Sequence, residues 1–516
     1  MNDSMKKALE EYNSDVTTAH HGGVNGRPFW NANSPHFLFN PAFLFPQYHA
    51  VKQYLFTATD ENGKEYSFTS SKSTSLLTPI WKDIPVGMVT LRVDALDANG
   101  NVTYPIGVRT FYKSAPFPGR DAYEPAARSY AEAAKMGYRF VFELPMAKYL
   151  LKHGTPDPEY DYNVYPSKML RSIISAMLSY AQLEPSAADE AIEIAKKAAD
   201  YLISISYKDD SPVRGLPPTY YVDFRPKGTG KTNYTADDRG GNIMMIYPPE
   251  VGKVYLALER YTGEKRYLDA AIKIADYLCD TILPEGSWPL FINTTTGEPV
   301  TFNLCGPDRA MDFLADAYNR TGNEKYRKTE NLCYQYVINK ILPIYNWEGQ
   351  FEDAPFSNNY SNLTHFGATA LIDYLAQNRK DDPESALIAA DLIRFVEDQF
   401  AVWGKPSPCI HPNVSDWLYP SAFEQYEWLR PIDGSAASLI KGFTGAYILT
   451  KNPLLLEKAQ ALADMITKVQ NPTNGAIPTY WTKKNCGELL EDFWINCHIG
   501  TTNQLFTFNE QLKNLK

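Results

Sequence analysis
A chain of 516 residues is too long for one ordinary domain, and two are the natural first division. Its 44% apolar and 21% charged residues are those of a globular protein. A formal net charge of −10, with no basic run, excludes the basic footprint that nucleic acid or an anionic membrane surface requires. No stretch approaches the ~18 apolar residues of a membrane span, and residues 1–26 are polar where a signal peptide would be apolar. The sequence as it stands therefore reads as cytoplasmic, or as secreted if a leader has been removed.

From about Phe29 to Lys113 the apolar residues alternate with period two. The runs His49–Thr59 and Met88–Leu96 are rich in β-branched and aromatic residues, and turn signals follow them at Asp60–Gly63 and Asp97–Gly100. Short punctuated strands of this kind predict an N-terminal antiparallel β-sandwich of Ig or fibronectin-III type over residues 27–116. Its expected role is structural. Ser114–Gly119, with two prolines and a glycine, reads as a linker.

Beyond the linker the period changes to 3.6. Amphipathic stretches begin near Ala126, Ser167, Ala187, Pro249, Lys265, Asp308, Glu324, Ser361, Glu384, Gly434, Pro453 and Asp492. The segment Tyr261-Thr-Gly-Glu-Lys-Arg-Tyr267 recurs as Arg320-Thr-Gly-Asn-Glu-Lys-Tyr326, and loosely at Thr450–Pro453. A glycine or asparagine just past a helix end caps it in the left-handed conformation, so these are tight turns inside helical hairpins. The connections between hairpins, at 208–248, 283–307, 343–360, 403–433 and 471–491, are long by comparison. Hairpins standing side by side in one orientation would send every long loop to one end, which is where function is expected.

About six tandem hairpins behind a β-domain, with Glu285-Gly-Ser-Trp-Pro289 and Asn474-Gly-Ala-Ile-Pro-Thr479 after second helices of hairpins, resemble the six-hairpin (α/α)6 toroid carbohydrate-active enzymes. The resemblance covers roughly residues 120–516. It implies an all-α (α/α)6 toroid and sugar chemistry, and it names no single catalytic family.

Aromatic residues concentrate in the long loops. Trp288, Trp347, Trp403, Trp417, Trp428, Trp481 and Trp494 lie in or beside them. A sugar ring stacks its C–H faces on such rings, whereas the structural alternative is that they plug loops onto the scaffold. The carboxylate candidates follow. Asp237 and Asp238 stand beside Arg239 in Thr235-Ala-Asp-Asp-Arg-Gly-Gly241, where like charges raise and arginine lowers a pKa. Asp308 opens a helix and reads first as a first-turn acid favoured by the helix dipole, and Asp353 lies in Phe351-Glu-Asp-Ala-Pro355. Glu424 lies in the acidic, aromatic segment Ser415–Asp433, which also carries Trp417 and Tyr426. Further substrate-binding candidates are Tyr234, Trp288, Trp347, His365, Trp481, Trp494 and Asn496.

The leading expectation is a glycoside hydrolase that cleaves an oligo- or polysaccharide with two carboxylates, Asp238 and Glu424, with Asp237, Asp308 and Asp353 in reserve. A polysaccharide lyase or sugar epimerase acting on uronate glycans is the second reading, with Arg239 neutralising the uronate and His365 with a tyrosine passing the proton. A non-catalytic glycan-binding protein is the third. Six cysteines without a CxxC pair, and no two histidines at i, i+4, give no expectation of a metal or other cofactor.

Overall fold
The structure, a computed structural model, describes residues 3–19, 34–74, 76–224, 234–347, 362–405, 417–426, 429–482 and 493–515. The chain forms two compact units. The first holds residues 1–125, 364–465 and 480–484, and the second holds 126–363, 466–479 and 485–516.

The first unit begins with helix α1 (Asp3–Asp15) and a five-stranded sheet of β1 (His36–Phe37), β2 (Gln53–Asp60), β3 (Glu65–Ser70), β4 (Gly87–Leu96) and β5 (Val102–Lys113), with a short α2 (Thr78–Trp81) between β3 and β4. The strand order is β1-β5-β4-β2-β3, antiparallel except for the β1–β5 pair. Tyr54, Phe56 and Ala58 of β2 and Val89, Leu91 and Val93 of β4 are buried at every second position, against Trp81 and Phe111. That alternation is what the sequence pattern predicts. Both predicted turns form: Asp60 Oδ1 accepts from Asn62 N and Lys64 N, Asp97 Oδ1 accepts from Asn99 N and Asn101 N, and Gly63 and Gly100 take positive φ. The single sheet is what the described residues show of the expected sandwich.

The chain continues through α3 (Tyr130–Glu143), α4 (Pro145–His153), α5 (Pro166–Leu183), α6 (Ala188–Ile205), α7 (Tyr234–Arg239), β6 (Asn242–Met244), α8 (Tyr247–Thr262), α9 (Lys265–Thr281), β7 (Phe291–Asn293), α10 (Asp308–Thr321) and α11 (Glu324–Tyr336). It then runs through α12 (Phe366–Asn378), α13 (Pro383–Phe400), β8 (Ala401–Val402), β9 (Ser421–Ala422), α14 (Asp433–Thr450), α15 (Pro453–Val469) and α16 (Ile495–Asn514). The first of these helices begins at Tyr130 and not near Ala126, because the Ser129 side chain caps it by accepting from Glu132 N.

The predicted hairpin turns are borne out. Gly263, Gly322 and Lys451 end α8, α10 and α14 in the left-handed conformation, each donating its N–H to a carbonyl four residues back. In the second unit α5 pairs with α6, α8 with α9 and α10 with α11, while α16 packs on α3. The helices α16, α5, α8 and α10 then pack side by side in that order. Inter-helix bonds show that α5, α8 and α10 run parallel. Near their N-termini Glu250 Oε2 lies 2.7 Å from Arg171 and 3.1 Å from Arg309. Further along, Lys253 meets Asp312, Arg260 meets Asp316 and Glu259 meets Arg320. Asn503 of α16 donates to Ser175 of α5 at a matching distance from both N-termini. In the first unit α12 packs on α13 and α14.

The close α8–α10 packing depends on Gly252. A Cβ built there would stand 2.4 Å from two atoms of the Phe313 ring. Helix propensity alone favours Gly252→Ala by about 1 kcal/mol. Overpacking costs about 1–3 kcal/mol, so the variant is expected to lose stability, read as a lower urea midpoint. An unchanged or raised midpoint would contradict this account of the packing.

No helix among the described residues is long and apolar enough to cross a membrane.

Candidate functional site
Parallel helices place their N-termini together, and the second unit therefore has a rim formed by the starts of α16, α5, α8 and α10. The loops that lead into these helices interlock over it. Trp494 N donates to Thr479 Oγ1, and Ile495 N donates to Tyr160 Oη, whose own proton goes to Phe493 O. Tyr221 N donates to Val164 O, and Ser167 Oγ to Pro218 O. Strands β6 and β7 pair antiparallel, and Thr294 N donates to Gly241 O. Loops 470–479, 154–165, 206–224 with 240–246, and 282–307 thus form one hydrogen-bonded belt.

Three kinds of side chain meet on this rim. The first is aromatic: Tyr162 stacks on Trp494 with centroids 3.9 Å apart and 29° between planes, and Tyr165 packs at 5.7 Å from Tyr220. Tyr162 and Trp494 keep part of their surface exposed. The second is cationic. Lys168 Nζ lies 4.5 Å from the centroid of the Trp494 ring, Arg309 sits 5.9 Å from that of Tyr247, and Arg171 and Arg309 share Glu250. The third is acidic: Glu250 in the first turn of α8 and Asp308 as the first residue of α10. Arg171 Nε, Glu250 Oε2 and Asn496 Oδ1 are three of the buried polar atoms that make no hydrogen bond among the described residues.

The sequence-predicted residues fall as follows. Arg239, Trp288, Asp308, Trp494 and Asn496 lie in the belt or at its helix starts. Arg239 is buried and stands 5.7 Å from the Phe291 ring, and Asp238 beside it is exposed. Trp288 is 1% exposed, with Nε1 donating to Leu278 O, so it pins its loop to α9 and presents no open face. Trp347, also in the second unit, is buried, and its N–H donates to Asn362 Oδ1.

His365, Trp417, Glu424, Tyr426 and Trp481 belong to the first unit. Trp417 packs with Val402, Phe423 and Leu429, and Trp481 N donates to Pro431 O. Trp481 is 0% exposed, so it too serves packing. Tyr426 is buried, whereas Glu424 is partly exposed and its backbone N–H donates to Arg430 O. His365 is fully buried, with Nδ1 3.2 Å from Ser438 Oγ, and burial pushes its pKa down to about 3. It is a neutral core imidazole. Asp353 lies outside the described residues, as do the side chains of Tyr234 and Asp237, whose backbones belong to α7.

Sequence reading did not single out Tyr162, Lys168, Arg171, Glu250 and Arg309. A local signal for three of them exists: α5, α8 and α10 start at or next to proline, and Lys168, Glu250 and Arg309 follow within a turn. Only the tertiary register shows that Arg171, Glu250 and Arg309 meet.

No family model matches the chain, and no curated protein does. Its fold is that of the (α/α)6 toroid carbohydrate-active enzymes, as the sequence resemblance implied. Among solved structures it is similar to a family 76 glycoside hydrolase from a bovine Bacteroides thetaiotaomicron strain, with TM-score 0.50 and 11% identity over 91% of this chain and 96% of that one. It is also similar to a D-mannose isomerase, with TM-score 0.53 and 12% identity over 77% of this chain and 100% of that one. At such identities the likeness is one of fold.

Proposed function
We propose that the chain is a carbohydrate-active enzyme, and specifically a glycoside hydrolase acting on an oligo- or polysaccharide at the rim of the second unit. The observation that carries this reading is the partly exposed Tyr162–Trp494 stack set beside charged side chains at the starts of parallel helices. Aromatic faces take the C–H side of a sugar ring, and carboxylates and cations take its hydroxyls. The toroid neighbours, a glycoside hydrolase and a sugar isomerase by name, support sugar chemistry as the class. In this reading residues 120–516 form the toroid module, and residues 27–116 form an Ig-like sandwich with a structural role.

Hydrolysis needs one carboxyl group that donates a proton to the leaving oxygen and one that activates water or attacks the sugar. Asp238 is the first candidate, being exposed in α7 beside Arg239. Asp308, in the same unit, is its proposed partner, and Glu424 is the remaining candidate from the sequence. This chemistry requires no cofactor.

The test is an assay of the full chain against a panel of oligosaccharides, following new reducing ends together with ultraviolet absorbance. Asp238→Asn is expected to lower turnover by roughly 10²–10⁴-fold, with Asp308→Asn and Glu424→Gln made alongside to identify its partner. Undiminished turnover in all three would overturn the carboxylate assignment. Absorbance from a new conjugated double bond would turn the reading from hydrolase to lyase.

A further inference from the structure
The indole of the aromatic pair stands where helix chemistry favours another kind of residue. Trp494 is the N-cap of α16 and makes no side-chain cap. Ser, Thr, Asp and Asn are preferred there because their oxygens accept from amides of the first turn, whereas an indole has a donor and no acceptor. Hydroxyl groups from two other loops hold the backbone instead. Tyr160 Oη accepts from Ile495 N at 3.1 Å and donates to Phe493 O at 3.3 Å, so one phenol bridges the residues on both sides of Trp494. Thr479, which is buried, accepts at Oγ1 from Trp494 N at 3.0 Å. The loop that carries Tyr160 also supplies the stacking partner two residues on. The ring centroids of Tyr162 and Trp494 are 3.9 Å apart, and those of Tyr160 and Tyr162 are 5.6 Å apart.

We propose that Tyr160 and Thr479 are positioning residues for this pair. Their hydroxyls fix Trp494 at the start of α16, and with it the surface that Tyr162 and Trp494 offer to a sugar ring. The choice of bonded groups separates this role from ordinary helix capping. A capping side chain would take the amide of Asn496 or Cys497, the second and third residues of the helix. The two hydroxyls take the amides of Trp494 and Ile495 and the carbonyl of Phe493, so they hold the indole-bearing residue itself. A helix start that forgoes its own cap to carry an indole breaks a local rule in the way functional sites do. Holding the ring in place before the ligand arrives removes an ordering cost from binding. The inference rests on the carbohydrate reading and names what sets the geometry of its binding surface.

Calorimetric titration of the full chain with the panel oligosaccharide that it turns over fastest tests the proposal. Tyr160→Phe keeps the ring and removes the hydroxyl, and it is expected to weaken binding roughly three- to tenfold. Thr479→Val should weaken it in the same way through the other loop, and Thr479→Ser, which keeps the hydroxyl, should restore it. In the Trp494→Ala protein the further change Tyr160→Phe should alter affinity less than about twofold, because nothing is left to position. A merely structural role would not give that non-additivity. Unchanged affinity in either hydroxyl variant would overturn the inference and leave the carbohydrate reading standing. So would a Tyr160→Phe loss of the same size with and without Trp494. A panel in which no oligosaccharide is bound or turned over would overturn the inference and the carbohydrate reading together.

Discussion

Replacing Glu397 by leucine is expected to cost the first unit about 3–5 kcal/mol, the usual penalty for removing one partner of a buried ion pair. Glu397 is the centre of a buried polar cluster. Oε2 accepts from Lys458 Nζ at 2.8 Å, and Oε1 accepts from Tyr12 Oη and from Trp403 Nε1, each at 2.8 Å. Lys458 is 2% exposed and lies 3.6 Å from the centroid of the Tyr12 ring. Burial pushes the Lys458 pKa down, against the pull of Glu397, and pushes that of Tyr12 up. Loss of the carboxylate leaves an ammonium and two donors buried at once. Tyr12 also accepts from Phe117 N, so α1 and the linker lose an anchor together. Urea unfolding should show a large midpoint drop for Glu397→Leu and for Lys458→Met, and a much smaller one for the double variant, which buries no lone charge. A Glu397→Leu loss below about 1 kcal/mol would show that the cluster behaves as an exposed pair.

The second large effect is acid sensitivity. His36, His365 and His498 are fully buried, and burial lowers their pKa values to about 4, 3 and 4 from an ordinary value near 6.5. A group whose pKa is lowered on folding adds stability that is fully present above pH ~6.5 and is lost as pH falls toward the folded value. Each histidine should withdraw roughly 3 kcal/mol over that window. Asp398 works the other way. It is fully buried, accepts from Leu38 N and Phe39 N, and burial raises its pKa to about 7. Its contribution is present at low pH and lost as pH rises toward 7, so it offsets about one histidine in the first unit.

His498 in the second unit shows the structural reason. Nδ1 accepts from Ile477 N at 3.1 Å and Nε2 donates to Gly137 O at 3.0 Å. A second proton on Nδ1 would face an N–H donor, so charging the ring breaks the tie between loop 470–479 and α16. His498→Gln can reproduce one acceptor and one donor without titrating. It is expected to flatten the fall in stability between pH 6.5 and 4, measured as urea midpoints across that range. A slope identical to that of the unsubstituted protein would contradict the assignment.

The helical hairpins were legible because their signals are local. Thr-Gly at 262–263 and 321–322 needs only the left-handed cap at Gly263 and Gly322 to mark a turn, and the long loops then mark the end where function is proposed. The strands β2 and β4 were legible for a similar reason: the alternation in Tyr54, Phe56 and Ala58 shows directly in the residues. The tryptophans were not. Trp288 and Trp494 look alike in sequence, each in a loop near glycine, proline or aromatic residues. One is buried with its indole N–H on Leu278 O, and the other stacks on Tyr162 with part of its surface open. Burial is a property of the packed chain. The ion cluster of Arg171, Glu250 and Arg309 escaped for the same reason, since its members come from three hairpins and meet only through the parallel register of α5, α8 and α10. His365 had a local reading as a proton carrier, and the packing of Phe366, Phe400 and Ser438 around it removes it from solvent.

The central claim is that sugar chemistry takes place at this helix-end rim. The most direct measurement is saturation-transfer NMR with the oligosaccharide that the full chain turns over fastest, on the unsubstituted protein and on Trp494→Ala. The account predicts that the sugar binds and that Trp494→Ala weakens it about tenfold, or about 1.4 kcal/mol, with the fold intact by circular dichroism. Binding that is unchanged in Trp494→Ala, or the absence of any bound or converted oligosaccharide, would contradict it.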